Sequence, residues 1–366
     1  MNRVKTCVYA IALNEIKHVD KFMEASQEAD VILVCDTGST DGTPERLREL
    51  GAVVHTVTQR PWRFDIPRNT ALSLVPGDID ICLSIDLDEY LQPGWSDVID
   101  RAWQQQQGRI QRIAYDYIWN WNADGTPGVR FYADKIHHRR GYRWRHPCHE
   151  TLYWEGAGPE NRVTLPELAL HHHADTTKSR GQYLPLLKMA VTEDPANDRM
   201  SHYYGRELMF YRHYEEAIQE LQRHLEIPTA TWREERCASM RFIARCHTNL
   251  GQHEEAHRWA VMATLECPGV REPWLELARV AYGRQDWATC LWAVNKLLAI
   301  TEKGFSYITD AACWGAEPYD LGALAAWYTG DQSRARSWAL EAYKMSPSDA
   351  RLRKNCLLMG IAEQDL

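Results

Sequence analysis

Several things are scarce in this 366-residue chain, and each scarcity excludes something. There is no run of about 18 or more apolar residues, so no membrane-spanning helix is expected. The ten cysteines are scattered without a C-x-x-C pair. In a chain this long they read as reduced thiols of a cytoplasmic protein, not as a disulfide framework. Positive charge is in the minority, with 42 Lys and Arg against 50 Asp and Glu and a net charge of −8. That argues against a generic polyanion binder while leaving room for a local basic groove. Neither G-x-G-x-x-G nor the Gly-Lys-Ser/Thr of a P-loop is found.

Apolar surface is not scarce. Hydrophobic residues make up 45% and charged residues 25%, which excludes a disordered chain and suits about two folded domains. Arg3 and Lys5 precede the apolar run Cys7 to Leu13, a pattern that a secretory h-region can share. Asn14 and Glu15 follow at once, so a buried first strand is the expectation.

The two halves differ in period. Up to about residue 195, strand-like runs such as Val31-Ile32-Leu33-Val34-Cys35 and the segment 79–85 alternate with helix-like stretches at 16–29 and 43–50. This alternation predicts an α/β domain over residues 1–195 with a mostly parallel, three-layer sheet. From residue 196 to 366 the spacing is helical and a frame recurs. Arg212 to Ala217, Gly251 to Ala256, Gly283 to Ala288 and Gly330 to Ala335 end on alanines spaced 39, 32 and 47 residues apart. Each frame is expected to open a second helix, with Pro228, Pro268 and Pro347 closing three of them and an irregular insert near 301–318. This half resembles a tetratricopeptide array, in which stacked helix pairs bury a continuous apolar seam. Such a stack could read an acceptor, meet a protein partner or make a homodimer.

The chemistry-bearing motifs lie in the first half. Asp86-Leu87-Asp88-Glu89 closes an apolar strand, and strand alternation puts Asp86 and Asp88 on one side. Carboxylates suit Mg²⁺ or Mn²⁺, and such an ion can bridge a diphosphate while taking only one or two protein ligands. Solvated acids at a strand-end turn are the plain alternative. Asp36-Thr37-Gly38-Ser39-Thr40-Asp41-Gly42-Thr43 follows the second strand and precedes a helix. An acid there can meet a ribose or a base edge, or simply cap its own loop.

Together with Ala12-Leu13-Asn14-Glu15 and Arg68-Asn69, these motifs resemble a family 2 glycosyltransferase of the GT-A fold carrying the D-x-D motif. The likeness is strongest over residues 4–95. It extends to the branch with a His-Glu pair and carboxyl-terminal helical repeats, which includes lipopolysaccharide-core glucosyltransferases and bacteriocin S-glycosyltransferases. The resemblance implies a nucleotide-diphosphate sugar donor, an inverting transfer and Mn²⁺ or Mg²⁺. It places Ala12, Asn14, Glu15, Asp36, Arg68, Asp86 and Leu87 around the donor, with Arg68 at the diphosphate and Asp88 as the direct metal ligand.

The same resemblance matches His149-Glu150 to the His-Glu pair. Glu150 is the expected acceptor base, with Asp116 as the rival and a structural ion pair with Arg139, Arg140, Arg143 or Arg145 as the alternative. It also implies a metal-binding histidine at the end of the strand before Ala174, with His172 best aligned and His171 and His173 as neighbours in register. The family often has Gly where Ala174 stands. Lys178 and Arg180 are further candidates for the phosphates. The aromatic segment 113–132, with Tyr115, Tyr117, Trp119, Trp121, Phe131 and Tyr132, is where acceptor selectivity is expected. The acceptor, whether glycan, lipid-linked saccharide, peptide or modified nucleic acid, is not readable from the sequence. A second function class is a non-catalytic binding scaffold with a degenerate GT-A domain.

Overall fold

A computed structural model describes residues 3–122, 125–174 and 181–366. The chain divides into two compact units, Met1–Ala190 with Phe305–Tyr307, and Val191–Gly304 with Ile308–Leu366. The division falls inside a helix, Tyr183–Glu193, a few residues before the position expected from the change of period.

The first unit opens with β1 (Thr6–Ala12), α1 (Ile16–Ser26), β2 (Val31–Asp36), α2 (Thr43–Glu49), β3 (Val53–Thr56), α3 (Asp65–Leu74) and β4 (Ile81–Ser84). It continues through β5 (Glu89–Leu91), α4 (Trp95–Gln105), β6 (Arg112–Ile118), β7 (Arg130–His138), the hairpin β8 (Tyr142–Arg145) and β9 (Thr151–Trp154), β10 (Arg162–His172) and α5 (Tyr183–Glu193). Eight strands form one sheet in the order β3-β2-β1-β4-β7-β6-β10-β5. The first four are parallel, as the alternation predicts. Beyond β4 the sheet is mixed, because β7 runs antiparallel to both β4 and β6, and β5 antiparallel to β10. A mostly parallel sheet is therefore corrected to a mixed one. The sequence signal missed is the direct return from β6 to β7, with no helix between.

The apolar start of the chain is the buried strand β1, in which Cys7, Val8, Tyr9 and Ala10 are fully shielded. Helix-covered faces require such continuous apolar strands. One core lies under α1 and α4 and holds Val8, Phe22, Leu83 and Trp95. The other holds Tyr9, Leu33, Cys35, Ala71, Cys82 and Trp144. In that second core, Trp144 Nε1 donates to the Tyr9 hydroxyl, which lies 2.9 Å from His137 Nε2. His137 Nδ1 sits 2.8 Å from the His138 carbonyl and must carry the hydrogen there, so Nε2 accepts from Tyr9. Burial lowers the His137 pKa to about 3, and the ring is neutral.

The second unit contains α6 (Asp198–Phe210), α7 (Tyr214–Glu226), α8 (Arg233–Asn249), α9 (His253–Glu266), α10 (Arg271–Gly283), α11 (Trp287–Leu298), α12 (Glu317–Tyr328), α13 (Gln332–Met345) and α14 (Ala350–Leu358). The recurring frames land at the starts of α7, α9, α11 and α13. Pro228, Pro268 and Pro347 each follow the end of a helix, as expected. Asp286 and Asp331 cap two of the frames by accepting from Thr289 and Arg334 backbone N–H. Ala217, Ala256 and Ala335 are fully buried, so small size at the frame's end lets paired helices approach. Gly322 shows the same demand, since a Cβ there would sit 2.5 Å from the Trp338 ring. The irregular insert holds a short 3₁₀ turn, Ala311–Trp314, and stops short of the expected bound because α12 begins at Glu317.

Candidate functional site

The site is built where the parallel strands end. Thr37 N–H and its hydroxyl both donate to the Ala12 carbonyl at 2.9 Å, tying the loop after β2 to the end of β1. Asn14 has a left-handed φ of 56°. Its amide oxygen accepts from Thr40 N–H at 2.8 Å, and its own N–H donates to Ser39 Oγ. Glu15 N–H donates to Thr43 Oγ1. Asp36 is buried and accepts from Gly38 and Ser39 N–H at 3.0 and 3.1 Å. Its carboxylate caps its own loop, the loop expected to meet a ribose or base edge.

Strand alternation does not explain the acid pair, because β4 stops at Ser84. Asp86 and Asp88 lie on a turn closed by Glu89 N–H donating to the Asp86 carbonyl at 2.9 Å. Leu87 points into the core, and both acids lie outside it. Asp86 accepts from Arg68 Nη2 at 2.8 Å and lies 3.4 Å from Lys135 Nζ. Burial opposes its charge, but the two cations outweigh burial and hold its carboxyl well below the usual carboxylate range.

Arg68 is buried, and it donates to Ser84 Oγ, to Asp86 and through Nε to Glu150. Its guanidinium is thus engaged by two carboxylates of this chain, whereas the resemblance placed it at the diphosphate. Glu150 immediately precedes β9, at the end of a turn in which His146 and His149 have left-handed φ of 80° and 47°. Such backbone strain persists only where surrounding contacts impose it. Here the His149 ring stacks on Tyr183 with centroids 5.6 Å apart. Glu150 does make an ion pair, but with Arg68 and not with the arginines adjacent in sequence. The rival base Asp116 is buried and paired with Arg130.

His172 ends β10 and faces Asp88, with Nε2 3.6 Å from Oδ2. Its Nδ1 is 3.0 Å from the Trp119 carbonyl, which can only accept, so Nδ1 carries a hydrogen. In the neutral ring Nε2 is then the lone-pair nitrogen turned toward Asp88. Metal-bound imidazoles are oriented in this way by a partner on the other ring nitrogen. Burial disfavours the imidazolium, yet Asp88 and the Trp119 carbonyl outweigh it and raise the His172 pKa above its ordinary value. His173 N–H donates to the Asp88 carbonyl at 2.8 Å, which locks the acid turn to β10.

His171 and His173 lie apart from this pair. His171 Nε2 is 3.0 Å from Gln92, both rings contact Trp121, and burial lowers both pKa values. Lys178 and Arg180 lie outside the described residues. In the aromatic segment, Tyr115 and Tyr117 are buried, whereas Trp119 and Tyr132 are about half exposed. Trp119 stacks on His172 with centroids 4.6 Å apart.

Two further side chains, which no motif marks as ligands, support the acid turn. Glu89 is only 2% exposed and accepts from Tyr117 hydroxyl, Lys135 Nζ and Asp86 N–H. Lys135 comes from β7, and only strand pairing brings it here. The adjacency of Glu89 to the acid pair was the available signal.

Among the described residues, no group of three or more His, Cys, Asp and Glu side chains is gathered as a cation site. Asp88 and His172 make a pair, and one oxygen with one oriented nitrogen fits Mn²⁺ or Mg²⁺ that draws its other ligands from phosphate and water. No described helix is long and apolar enough to cross a membrane, and all ten cysteines are free.

No family model and no curated protein matches this chain. Among solved structures it is similar to PilF of Pseudomonas aeruginosa at 17% identity and TM-score 0.38, over 46% of this chain and 70% of that one. MamA of Desulfovibrio magneticus RS-1 is similar at 14% identity and TM-score 0.37, over 46% of this chain and 86% of the other. YrrB, described as a TPR protein with an unusual peptide-binding site, is similar at 12% identity and TM-score 0.39, over 49% and 87%.

Proposed function

We propose that the first unit is a GT-A-type, metal-dependent glycosyltransferase that moves a sugar from a nucleotide-diphosphate donor to an acceptor with inversion. The observation that carries this reading is His172, oriented by the Trp119 carbonyl with Nε2 toward Asp88. The two residues would hold Mn²⁺ or Mg²⁺, which when bound supplies positive charge to a departing diphosphate. The bonded loops after β1 and β2 border the donor, with Asn14 and Asp36 fixing their shape. Arg68 holds Asp86 and Glu150 together as neighbouring carboxylates. Glu150 takes the acceptor proton.

The test is incubation with a panel of nucleotide sugars, with and without Mn²⁺, reading released nucleoside diphosphate. Release that needs the metal and is lost in Asp88→Ala supports the reading. Full activity of that variant refutes it.

A second reading, a tetratricopeptide-type binding scaffold, is favoured by the paired helices of the second unit and by their exposed aromatic row. Tyr328 is 61% exposed and stacks on Trp287, which meets Tyr282 edge-on. Under this reading no nucleotide sugar is cleaved at any metal concentration.

A further inference from the structure

Beneath the acid turn, Lys135 Nζ lies 2.8 and 3.0 Å from the two Glu89 oxygens and 3.4 Å from Asp86. Glu89 in turn receives the Asp86 N–H at 2.9 Å and the Tyr117 hydroxyl at 2.6 Å. Its carboxylate therefore spans the turn from below, and its own N–H closes the turn at the Asp86 carbonyl. Both oxygens of this 2%-exposed carboxylate are engaged, by Asp86 N–H within the turn and by Tyr117 and Lys135 from β6 and β7. Tyr117 is buried and its ring lies 6.0 Å from that of His172, so the side chain that bonds Glu89 also borders the candidate metal-binding imidazole.

We infer that Lys135 is the positioning residue of the cation site: with Tyr117 it clamps Glu89, and through Glu89 it sets the turn that presents Asp88 to His172. The inference rests on the metal-binding reading above and goes past it, because that reading assigns neither Lys135 nor Glu89 to the metal or the donor. The shape of the turn and the charge of the site pull in opposite directions. Counting Asp86, Asp88, Glu89 and Glu150 against Arg68 and Lys135, the site is already acidic. Removing a cation makes it more so, and simple Coulomb attraction then predicts tighter binding of a divalent ion. A loss of the turn's geometry predicts weaker binding, by the roughly 10- to 100-fold typical of residues that orient metal ligands.

The experiment is titration of the full chain with Mn²⁺, followed by electron paramagnetic resonance of the free ion, for wild type, Lys135→Met, Lys135→Arg and Tyr117→Phe. Circular dichroism is recorded at the same temperature to select folded samples. Lys135→Met is expected to weaken Mn²⁺ binding at least about 10-fold. Lys135→Arg is expected to restore most of the affinity, and Tyr117→Phe to weaken it less than Lys135→Met does. Should Lys135→Met bind Mn²⁺ as tightly as wild type or more tightly, Lys135 acts only through its charge and the inference is overturned, while the metal site stands. If Lys135→Met does not fold, Tyr117→Phe decides, since it removes a clamp on Glu89 without changing charge. Wild type that binds no Mn²⁺ overturns the metal reading and this inference with it.

Discussion

In the first unit, charges converge on one place around the buried Arg68 and Glu89: with Lys135, Asp86 and Glu150 they arrive from α3, β7, the turn after β4 and the residue before β9. In the second unit, ion pairs such as Arg245–Glu276 and Arg279–Glu317 link one helix to another, at 2.6 Å each. The density of ion pairs alone thus does not mark a reaction site. What distinguishes the first unit is that its charges stack under one short turn and leave Asp88 facing an oriented imidazole. The second unit uses charge to align repeated helices, and its tightest constraints are small residues at helix crossings.

The sharpest way to break this contrast is at the turn. Asp88→Ala should cut metal-dependent release of nucleoside diphosphate by about 100-fold or more, the scale of losing a main electrostatic contributor to a transition state. Its melting curve should stay close to wild type, because Asp88 serves no core contact. Comparable loss from Arg279→Gln in the second unit would erase the distinction.

Next in size is Arg68→Met. It leaves Glu150 without its ion-pair partner and Asp86 with Lys135 alone. Breaking a buried pair costs about 3–5 kcal/mol, and the partial exposure of Asp86 puts the expected cost at the lower end of that range. Urea unfolding followed by circular dichroism reads this, and a cost below about 1 kcal/mol would show that the cluster contributes little to the fold.

Acid should weaken both units by the same mechanism, since each buries a neutral histidine, His137 in the first and His202 in the second, with pKa lowered by burial. Unfolded His137 takes up its proton near its ordinary value of 6.5, and the folded ring only near about 3. The unfolded state therefore binds more protons between those values. The contribution is complete above about pH 6.5 and is lost as pH falls toward 3. At pH 5 the loss from His137 is about 2 kcal/mol. Urea midpoints from pH 7.5 to 5 should show the slope, and His137→Gln should flatten it.

The smallest effect sharpens the packing side of the comparison. Gly322→Ala forces a Cβ against Trp338 and Val294 and should destabilise by about 1–3 kcal/mol. Gly283→Ala, with no atom within 4 Å of its added Cβ, should be neutral or up to about 1 kcal/mol stabilising. Equal shifts in thermal unfolding for the two variants would show that crossing distance is not what the repeat's small residues protect.

Much of this arrangement was legible in the sequence. Helix starts at the recurring frames were, because local signals act within a few residues of a buried alanine: an acidic first turn in α7 and α9, and an aspartate cap in α13. The parallel half of the sheet was too, through the alternation of apolar runs with helical stretches. Asp88 and His172 were singled out from motifs about 80 residues apart, and the structure brings them together. The antiparallel return at β7 was missed, as was the partner of Glu150, because Arg68 lies 82 residues away along the chain while four arginines lie within 11.

Local chemistry along the chain sets the period of each half, the closure of helices at Pro228, Pro268 and Pro347, and the supply of acids after β4, since these depend on sterics, capping and burial pattern over a few residues. Which charge meets which depends instead on long-range strand pairing. The sheet order carries Lys135 under Glu89, and the β8–β9 hairpin carries Glu150 to Arg68. Buried charges must find partners, and the partner chosen is the one that chain topology delivers in three dimensions, not the nearest in sequence.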